Sequence, residues 1–595
     1  MTTHQFTARI VPALALALAA GHVCAQVRMC TWNVTNYSSS NPDARNIDFR
    51  RSVYGIIDAG LAMGGQSMNP DVFAATEFLS QAAITQFLGV LNTTTPVAGI
   101  MTSPADWAAA TFLESPTNND TYAAFFYRTG RVQFLGQTIT AAGVTGNNCE
   151  QPRDTIRYDF RPLGYTAAAA TFSVYSIHLK AQGSNAACPV GENAQGRRLL
   201  ECQRMRDNAQ GVNTNGVGSG KPAGYHAVMA GDTNIQSSTA VDYVELIGSQ
   251  ADNSGRFFDP IRTTGTWNNN VNFRWVHTQD PRAAMDDRHD QILTNAGLID
   301  LHGLEYQGDQ TSVFSTTTWN DPKHTYRSWG NDGSSYDTSL MRAGSPGNTF
   351  VGNAIATSLY NTATGGGHLP IVAHFLVPPK VFTSVATIDF GTVDVGSVAQ
   401  QSITISNITA STSPTDFTRW GAAGINGLYY TLTLSSGYTT PGSGTIPSRG
   451  VPYPNRPAGF FGTDPGTAGN THVITLNTSS EGTFNGTLTI SAPGATESPT
   501  VVINITGTVA SPSTCAVEYN GDGSLNPDDI GDFITDYYTM PHIPGPGGYA
   551  IACPGNDPPY DNGYKTAFTA DGSGQCFDPN PDNLGDYITA YYQGC

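Results

Sequence analysis

Between residues 26 and 378, short apolar runs repeatedly stop against a single polar residue able to bind a metal ion or a phosphate. Asn33 follows Val27-Arg28-Met29-Cys30-Thr31-Trp32, and Glu77 follows Val72 to Ala75. His178 ends Phe172 to Ile177, and Asp232 and Asn234 follow Val228 to Ala230. Asp290 stands just before Ile292-Leu293, and His368 just before Ile371 to Phe375. Short apolar runs bounded by turn residues predict strands. Helical patterns at Arg50 to Ala62 and Arg197 to Ala209 fall between them, which makes this region an α/β domain. A lone Asp, Glu or His at a strand end is ordinarily a cap or a turn residue. Together these residues offer more: carboxylates for a hard divalent cation, imidazoles for hydrogen bonding, and amides for orientation.

The remainder of the chain has other textures. Residues 1–25 read as a signal peptide, with Arg9 before the apolar run Ile10 to Ala20 and a cleavage-like Val23-Cys24-Ala25. The expectation is a protein exported from the cell, secreted or held at its surface by C-terminal modules. Of nine cysteines, eight remain without Cys24: Cys30, Cys149, Cys188 and Cys202, then Cys515, Cys553, Cys576 and Cys595. Even groups in an exported protein predict disulfides, with Cys188–Cys202 the pair separated by the shortest segment in its group. The net charge of −18 is concentrated late. Residues 379–595 hold 5 basic and 18 acidic side chains, a net of −13. The N-terminal region therefore has no strongly basic face of the kind a tight, passive nucleic-acid binder needs. Any polyanion it meets is expected to be turned over rather than held.

Residues 379–510 alternate without a helical period, from Val385 to Asn407 through Thr471 to Leu476, Gly482 to Ile490 and Val501 to Ile505. This predicts an all-β sandwich, and "IDFGTVDVGSVAQQSITISN" resembles immunoglobulin-like modules. Residues 511–595 contain a repeat, with Asn526 to Tyr538 echoed by Asn580 to Tyr592. Within it, Glu518, Asn520, Asp522, Ser524 and Asp529 take positions 1, 3, 5, 7 and 12 of a calcium loop, and Gly523 takes the turn. The segment resembles a dockerin or EF-hand-like repeat, small and helical. It implies Ca²⁺ and a possible protein partner for the C-terminal modules.

"TWNV", "PDVFAATEF", "YSIHLK", "AGDTN", "DRHDQI" and "GGHLPIVAHF", in this order, resemble the endonuclease/exonuclease/phosphatase (DNase I-like) superfamily over residues 26–378. The resemblance implies a four-layer α/β sandwich with its site at one end. It implies Mg²⁺ or Mn²⁺ at Glu77 with Asn33 nearby. Asp232 would orient or deprotonate water that Asn234 holds. His178 and His368 would bind phosphate oxygens, Asp290 would fix the His368 tautomer, and Arg161 would approach the phosphate, with Arg157 as its competitor. One departure stands out: Gly366-Gly367-His368 replaces the family's Ser-Asp-His. Asp286 and Asp287 are the nearby acids that could stand in.

The physical logic agrees with that assignment. Attack on a phosphodiester places charge on non-bridging and leaving oxygens, which a cation, imidazoles and an arginine stabilise. The expected function is a secreted, divalent-metal-dependent phosphoesterase, foremost a nuclease acting on extracellular nucleic acid. Sphingomyelinase-like and phosphomonoesterase activities are the alternatives within the class. A catalytically degenerate binding or adhesion protein is the alternative outside it. Convergence of Glu77, His178, Asp232, Asn234 and His368 separates an enzyme from a binding module.

Overall fold

The computed structural model describes residues 26–511 apart from 118–119, 145–149, 184–193, 213–217, 441–451 and 454–455, and only short stretches beyond 511. Residues 1–25, the calcium-loop positions Glu518, Asn520, Asp522, Ser524 and Asp529, and Cys149, Cys188, Cys515, Cys553, Cys576 and Cys595 lie outside the described residues. The described chain forms two compact units. One takes in residues up to Ile388 with Gln400–Thr475 and Gly486–Ile505, the other Asp389–Ala399, Leu476–Asn485 and residues from Thr506 on.

The first unit is built on two sheets. Its elements begin β1 (Val27–Tyr37), α1 (Asp43–Tyr54), β2 (Val72–Phe78), α2 (Gln81–Asn92), β3 (Trp107–Ala109), β4 (Tyr122–Arg128), β5 (Val132–Ala141), β6 (Thr155–Pro162) and β7 (Phe172–His178). They continue α3 (Ala194–Ala209), β8 (His226–Asp232), α4 (Val241–Ile247), β9 (Phe257–Phe258), β10 (Asp290–Asn295), β11 (Glu305–Tyr306), β12 (Arg327–Ser328), α5 (Gly352–Thr362) and β13 (Ile371–Leu376). One sheet runs β11-β13-β1-β2-β4-β3, with β12 also on β13; the other runs β5-β6-β7-β8-β10-β9.

Alternation along the strands assigns each face. Val27 and Met29 of β1, and Val72 and Ala74 of β2, meet Phe172 and Val174 of β7 and Val228 and Ala230 of β8 in a core between the sheets. Trp32, Phe73 and Phe126 point the other way, onto Phe49, Phe87 and Leu359 of α1, α2 and α5. Tyr175, Ile177 and Met229 likewise meet Met205 and Leu246 of α3 and α4. The result is helix, sheet, sheet, helix. Central strands are covered on both faces, which is why they read as nearly continuous apolar runs.

Three expectations change. The helix expected at Arg50 to Ala62 is α1, Asp43–Tyr54. It ends at Gly55, whose ψ of 132° leaves the helix, and the chain passes so close to α5 there that a Cβ would lie 2.4 Å from Arg51 O and 2.7 Å from Ile355 Cγ1. The region from 379 on also contains a helix where none was expected, α6 (Pro414–Gly424). Pro414 begins it, the position where a missing N–H costs nothing, and Ser413 Oγ donates to Asp416 Oδ2 at 2.8 Å. Its Trp420 is fully buried beside Val377 and Ile425 in the inter-sheet core, with the Arg131 guanidinium 4.1 Å from its ring. Packing therefore continues past Pro378-Pro379.

The third change concerns cysteines. Cys30 and Cys202 are free and buried, so a Cys188–Cys202 disulfide does not form. Cys30 lies in the core under α1 and α2, and Cys202 in the core under α3, on opposite sides of the sheet pair.

The later strands belong partly to each unit. In the first, Leu428–Leu434 pairs antiparallel with Phe461–Thr463 and with the end of Gly482–Ser491. In the second, Val395 N donates to Ala510 O (3.0 Å) and Gly396 N to Thr478 O (2.9 Å).

Two predictions follow from this packing. Burial pushes the Cys30 and Cys202 thiols well above their ordinary range, which suppresses the reactive thiolate. Iodoacetamide should leave both unmodified in the native protein and label both after unfolding without reductant, as read by peptide mass spectrometry; a disulfide at Cys202 would require reduction first. Glu201 of α3 accepts the Lys180 N–H at 2.9 Å, fastening the chain just after β7. Burial pushes its carboxyl up to about 7, against the Lys180 hydrogen bond and Arg153, Arg197 and Arg198. From pH 4.5 to 7 the folded state then keeps a proton that the unfolded state has lost, so stability falls as pH rises. At 1.4 kcal/mol per unit the fall is about 3 kcal/mol, and Glu201→Gln should flatten it in urea melts across that window.

Candidate active site

Strand register brings the polar ends together. Parallel pairing of β7 with β8 sets His178 opposite Asp232, and antiparallel pairing of β8 with β10 sets Asp232 opposite Asp290. In the other sheet Asn33 lies opposite Thr76, beside Glu77. Regular pairing breaks there, between Asn33 and Tyr37 on β1 and between Ala75 and Phe78 on β2. Glu77 and Asn234 take left-handed φ values of 66° and 50°. Such backbone costs on the order of 1–3 kcal/mol for a non-glycine residue and gathers at functional sites.

The consequence is orientation. Asn33 Nδ2 donates to Glu77 Oε1 at 2.8 Å and to Asp232 Oδ2 at 3.1 Å. Thr35 N fixes Asn33 Oδ1 (3.0 Å), and Asn36 N fixes Glu77 Oε2 (3.0 Å). His178 Nε2 lies 3.7 Å from Glu77 Oε1 and 3.5 Å from Asp232 Oδ2. His368 Nε2 lies 3.6 Å from the same Asp232 oxygen, and its Nδ1 is 2.7 Å from Asp290 Oδ2. Asn234 N donates to Asp232 Oδ1 at 3.0 Å, while its side-chain nitrogen donates to Leu179 O at 3.1 Å. Asn33, Glu77, His178, Asp232, Asp290 and His368 thus form one cluster, with Asn234 at its margin.

Two imidazoles face one carboxylate in opposite charge states. Burial would lower the His368 pKa, but Asp290, Asp232 and Glu77 raise it to about 10. It is an imidazolium at neutral pH. Burial and the nearby Arg153 guanidinium hold His178 well below the usual histidine range. His178 is neutral, and its approach to Asp232 is a polar contact rather than an ion pair. Burial would raise the Asp232 carboxyl, yet His368, His178, His289 and the Asn33 amide hold it well below its ordinary value.

Arg161 does not join the cluster. Phe160 pairs with Phe172, at the end of β7 far from His178. Arg161 donates instead to Gln133 Oε1 (3.1 Å) and to Thr166 O. Its competitor Arg157 is buried against Asp159 and Asn208. Arg153 brings a guanidinium to the His178 end, donating to Leu179 O (3.2 Å) and His178 O (3.4 Å). It precedes β6, where no apolar run marks it.

Gly367 has a structural reason. Its φ is +69°, and a Cβ would lie 2.3 Å from Ala363 Cβ, so an Asp side chain has no room. The acid beside this turn is Asp280 rather than Asp286 or Asp287. Asp280 N donates to Gly367 O at 3.0 Å, and Asp280 Oδ1 lies 2.7 Å from where a Gly366 Cβ would stand. Asp287 faces His289, its Oδ2 3.7 Å from His289 Nε2. His289 lies inside "DRHDQI", where only the acids Asp287 and Asp290 are singled out from the sequence.

A divalent cation fits this donor set. Among the described residues no group of three or more His, Cys, Asp or Glu side chains forms a metal cage. Mg²⁺ does not require one, since it keeps several waters and uses one or two carboxylates. Glu77 is the cluster's least buried carboxylate, its side chain 16% exposed against 2% for Asp232 and 0% for Asp290. It can meet a hydrated ion that the deeper acids cannot. Among the described residues no helix is long and apolar enough to cross a membrane.

No protein-family model matches the chain, and no curated protein matches it. Among solved structures, it is similar to a mannosyl-6-phosphatase of Bacteroides thetaiotaomicron at 12% identity, covering 59% of this chain and 99% of that one, with a TM-score of 0.29. It is similar to sphingomyelinase C from Streptomyces griseocarneus at 13% identity, over 59% and 99% of the two chains, with a TM-score of 0.30. ANGEL2, a 2',3'-cyclic phosphatase, matches at 10% identity over 59% and 95%, with a TM-score of 0.29. What the site can do is set by its own geometry.

Proposed function

We propose that this chain is an exported, divalent-metal-dependent hydrolase of phosphoric esters that cleaves the phosphodiester bonds of extracellular nucleic acid. The observation that carries the reading is Asp232, buried with two imidazoles within 3.6 Å of its Oδ2 and with Glu77 at the rim. A carboxylate so placed is ionised at every working pH. It accepts a hydrogen bond from the attacking water and takes its proton as the new P–O bond forms. Its depressed pKa makes it a weak base, so aiming the water is the larger share of its work.

His368 donates from Nε2 to a non-bridging phosphate oxygen while Asp290 holds its Nδ1 proton. His178, neutral, donates a second hydrogen bond. Asn33 keeps Glu77 and Asp232 at a fixed separation. Glu77, with Asn33 beside it, would hold Mg²⁺ or Mn²⁺, which supplies Lewis-acid charge to the phosphoryl group. Export rests on the N-terminal apolar pattern, and the choice of nucleic acid on the setting that export implies. A membrane-bound or soluble lipid ester is the other extracellular phosphodiester. No helix among the described residues is built for a bilayer, which is neutral on that choice.

The test is hydrolysis of plasmid DNA and of bis-p-nitrophenyl phosphate, with Mg²⁺, with Mn²⁺ and with EDTA. Both substrates should be cleaved with metal and neither with EDTA. His368→Ala should lower kcat about 10²–10³-fold, the usual cost of losing a transition-state donor. Asp290→Asn should cost less, because the ring stays. Cleavage of the small diester alone would overturn the nuclease assignment and keep the phosphoesterase; cleavage of neither would sink both.

A further inference from the structure

We propose that His289 is a catalytic residue of this site and contacts the leaving-group oxygen of the scissile ester. The inference rests on the phosphoesterase reading and goes beyond it by assigning a side chain that reading does not use.

Three observations converge. His289 is 4% exposed, and neither its Nδ1 nor its Nε2 reaches a hydrogen-bond partner. Leaving such a group dry costs about 1–3 kcal/mol, which a purely structural histidine would avoid by finding a carbonyl. His277, ten residues from Asp287, does so through Met285 O and Trp267 O. Second, the ring belongs to the cluster: its centroid is 6.3 Å from that of His368. Third, it has its own carboxylate. Asp287 Oδ2 lies 3.7 Å from His289 Nε2 while Asp287 Oδ1 is unpartnered. His289–Asp287 thus stands beside His368–Asp290 as a second, looser imidazole–carboxylate pair.

Placement assigns the role. His178 and His368 both reach Asp232 Oδ2 within 3.6 Å, so they border the water that Asp232 aims. His289 makes no such contact with Asp232; its ring stands beside that of His368, 6.3 Å between centroids, so a phosphoryl group held by His368 also lies near His289. In an in-line displacement the leaving oxygen departs opposite the water. As water's oxygen bonds to phosphorus, its proton passes to Asp232. The P–O bond to the leaving group breaks, its electron pair stays on that oxygen, and His289 hands the oxygen a proton. Asp232 then returns its proton to solvent and His289 regains one. Esters with poor leaving groups, such as the sugar hydroxyls of a nucleic-acid chain, depend on that donor most.

The experiment compares bis-p-nitrophenyl phosphate, whose leaving group needs little help, with diphenyl phosphate, whose leaving group needs more. Both are run on the full chain with Mg²⁺, using wild type, His289→Ala and His289→Gln. His289→Ala should lose kcat/KM on diphenyl phosphate at least about tenfold more than on bis-p-nitrophenyl phosphate, within the 10²–10⁴ range of acid–base catalysis. Added imidazole should restore part of the diphenyl phosphate activity. His289→Gln, which keeps a donor but cannot give up a proton, should lie between them. Equal losses on the two esters, or none, with wild type active, would overturn the role while leaving the phosphoesterase reading intact. A wild type inactive on both esters would overturn both. If His289→Ala does not fold, the ratio for His289→Gln decides alone.

Discussion

The ion pair of His368 with Asp290 is the contact on which the site depends, because it joins the two sheets at their polar ends. His368 precedes β13 of one sheet, and Asp290 begins β10 of the other. Backbone and ring of His368 are each held: Trp32 Nε1 of β1 donates to the His368 backbone O at 2.8 Å, and Asp290 Oδ2 holds the imidazole Nδ1 at 2.7 Å. Asp290 is fully buried, so an unpaired charge there would cost several kcal/mol. That penalty works in favour of register. A slip of β10 by one residue would turn Asp290 away from His368 and strand both groups. The same pairing that makes the site possible thus penalises arrangements in which it is absent.

The cluster also keeps its groups from neutralising one another. Glu77, Asp232 and Asp290 are three acids near two imidazoles and, behind them, Arg153. With only one imidazole protonated, the buried charges do not cancel. The surplus negative charge sits toward Glu77, at the rim, where water and a cation can reach it. That asymmetry follows from burial. His178 loses its proton to desolvation and to Arg153, whereas His368 keeps its proton through direct carboxylate contact. Two residues of one type acquire different tasks from their surroundings alone.

Much of this was legible in the chain. Runs that end on Asn33, Glu77, His178 and Asp232 are strands, and their polar ends meet because parallel neighbours put equivalent ends on one side. What escaped was whatever depends on register or on close approach. Arg161 looked as good as Arg157, since nothing in a run of eight residues says which end faces the site; the pairing of Phe160 with Phe172 does. Gly367 looked like a lost ligand, but its meaning lies in Ala363, four residues back, whose Cβ occupies the space an Asp would need. The α6 helix was missed because its buried face is carried by Trp420 and a few neighbours within a strand-rich stretch, too short a run for a period to show.

The turn at Gly366-Gly367 ties these points together. Were an acid present there, it would lie next to His368 and add a further negative charge to the cluster. The backbone excludes it, and the nearest acid, Asp280, stands to the side of the turn, its carboxyl raised by burial against the pull of His368 and His289. The turn thus leaves no room for an acid next to His368, while a further imidazole, His289, stands beside it. The strands hold the imidazoles in place: His178 ends β7, His289 leads into β10 and His368 leads into β13.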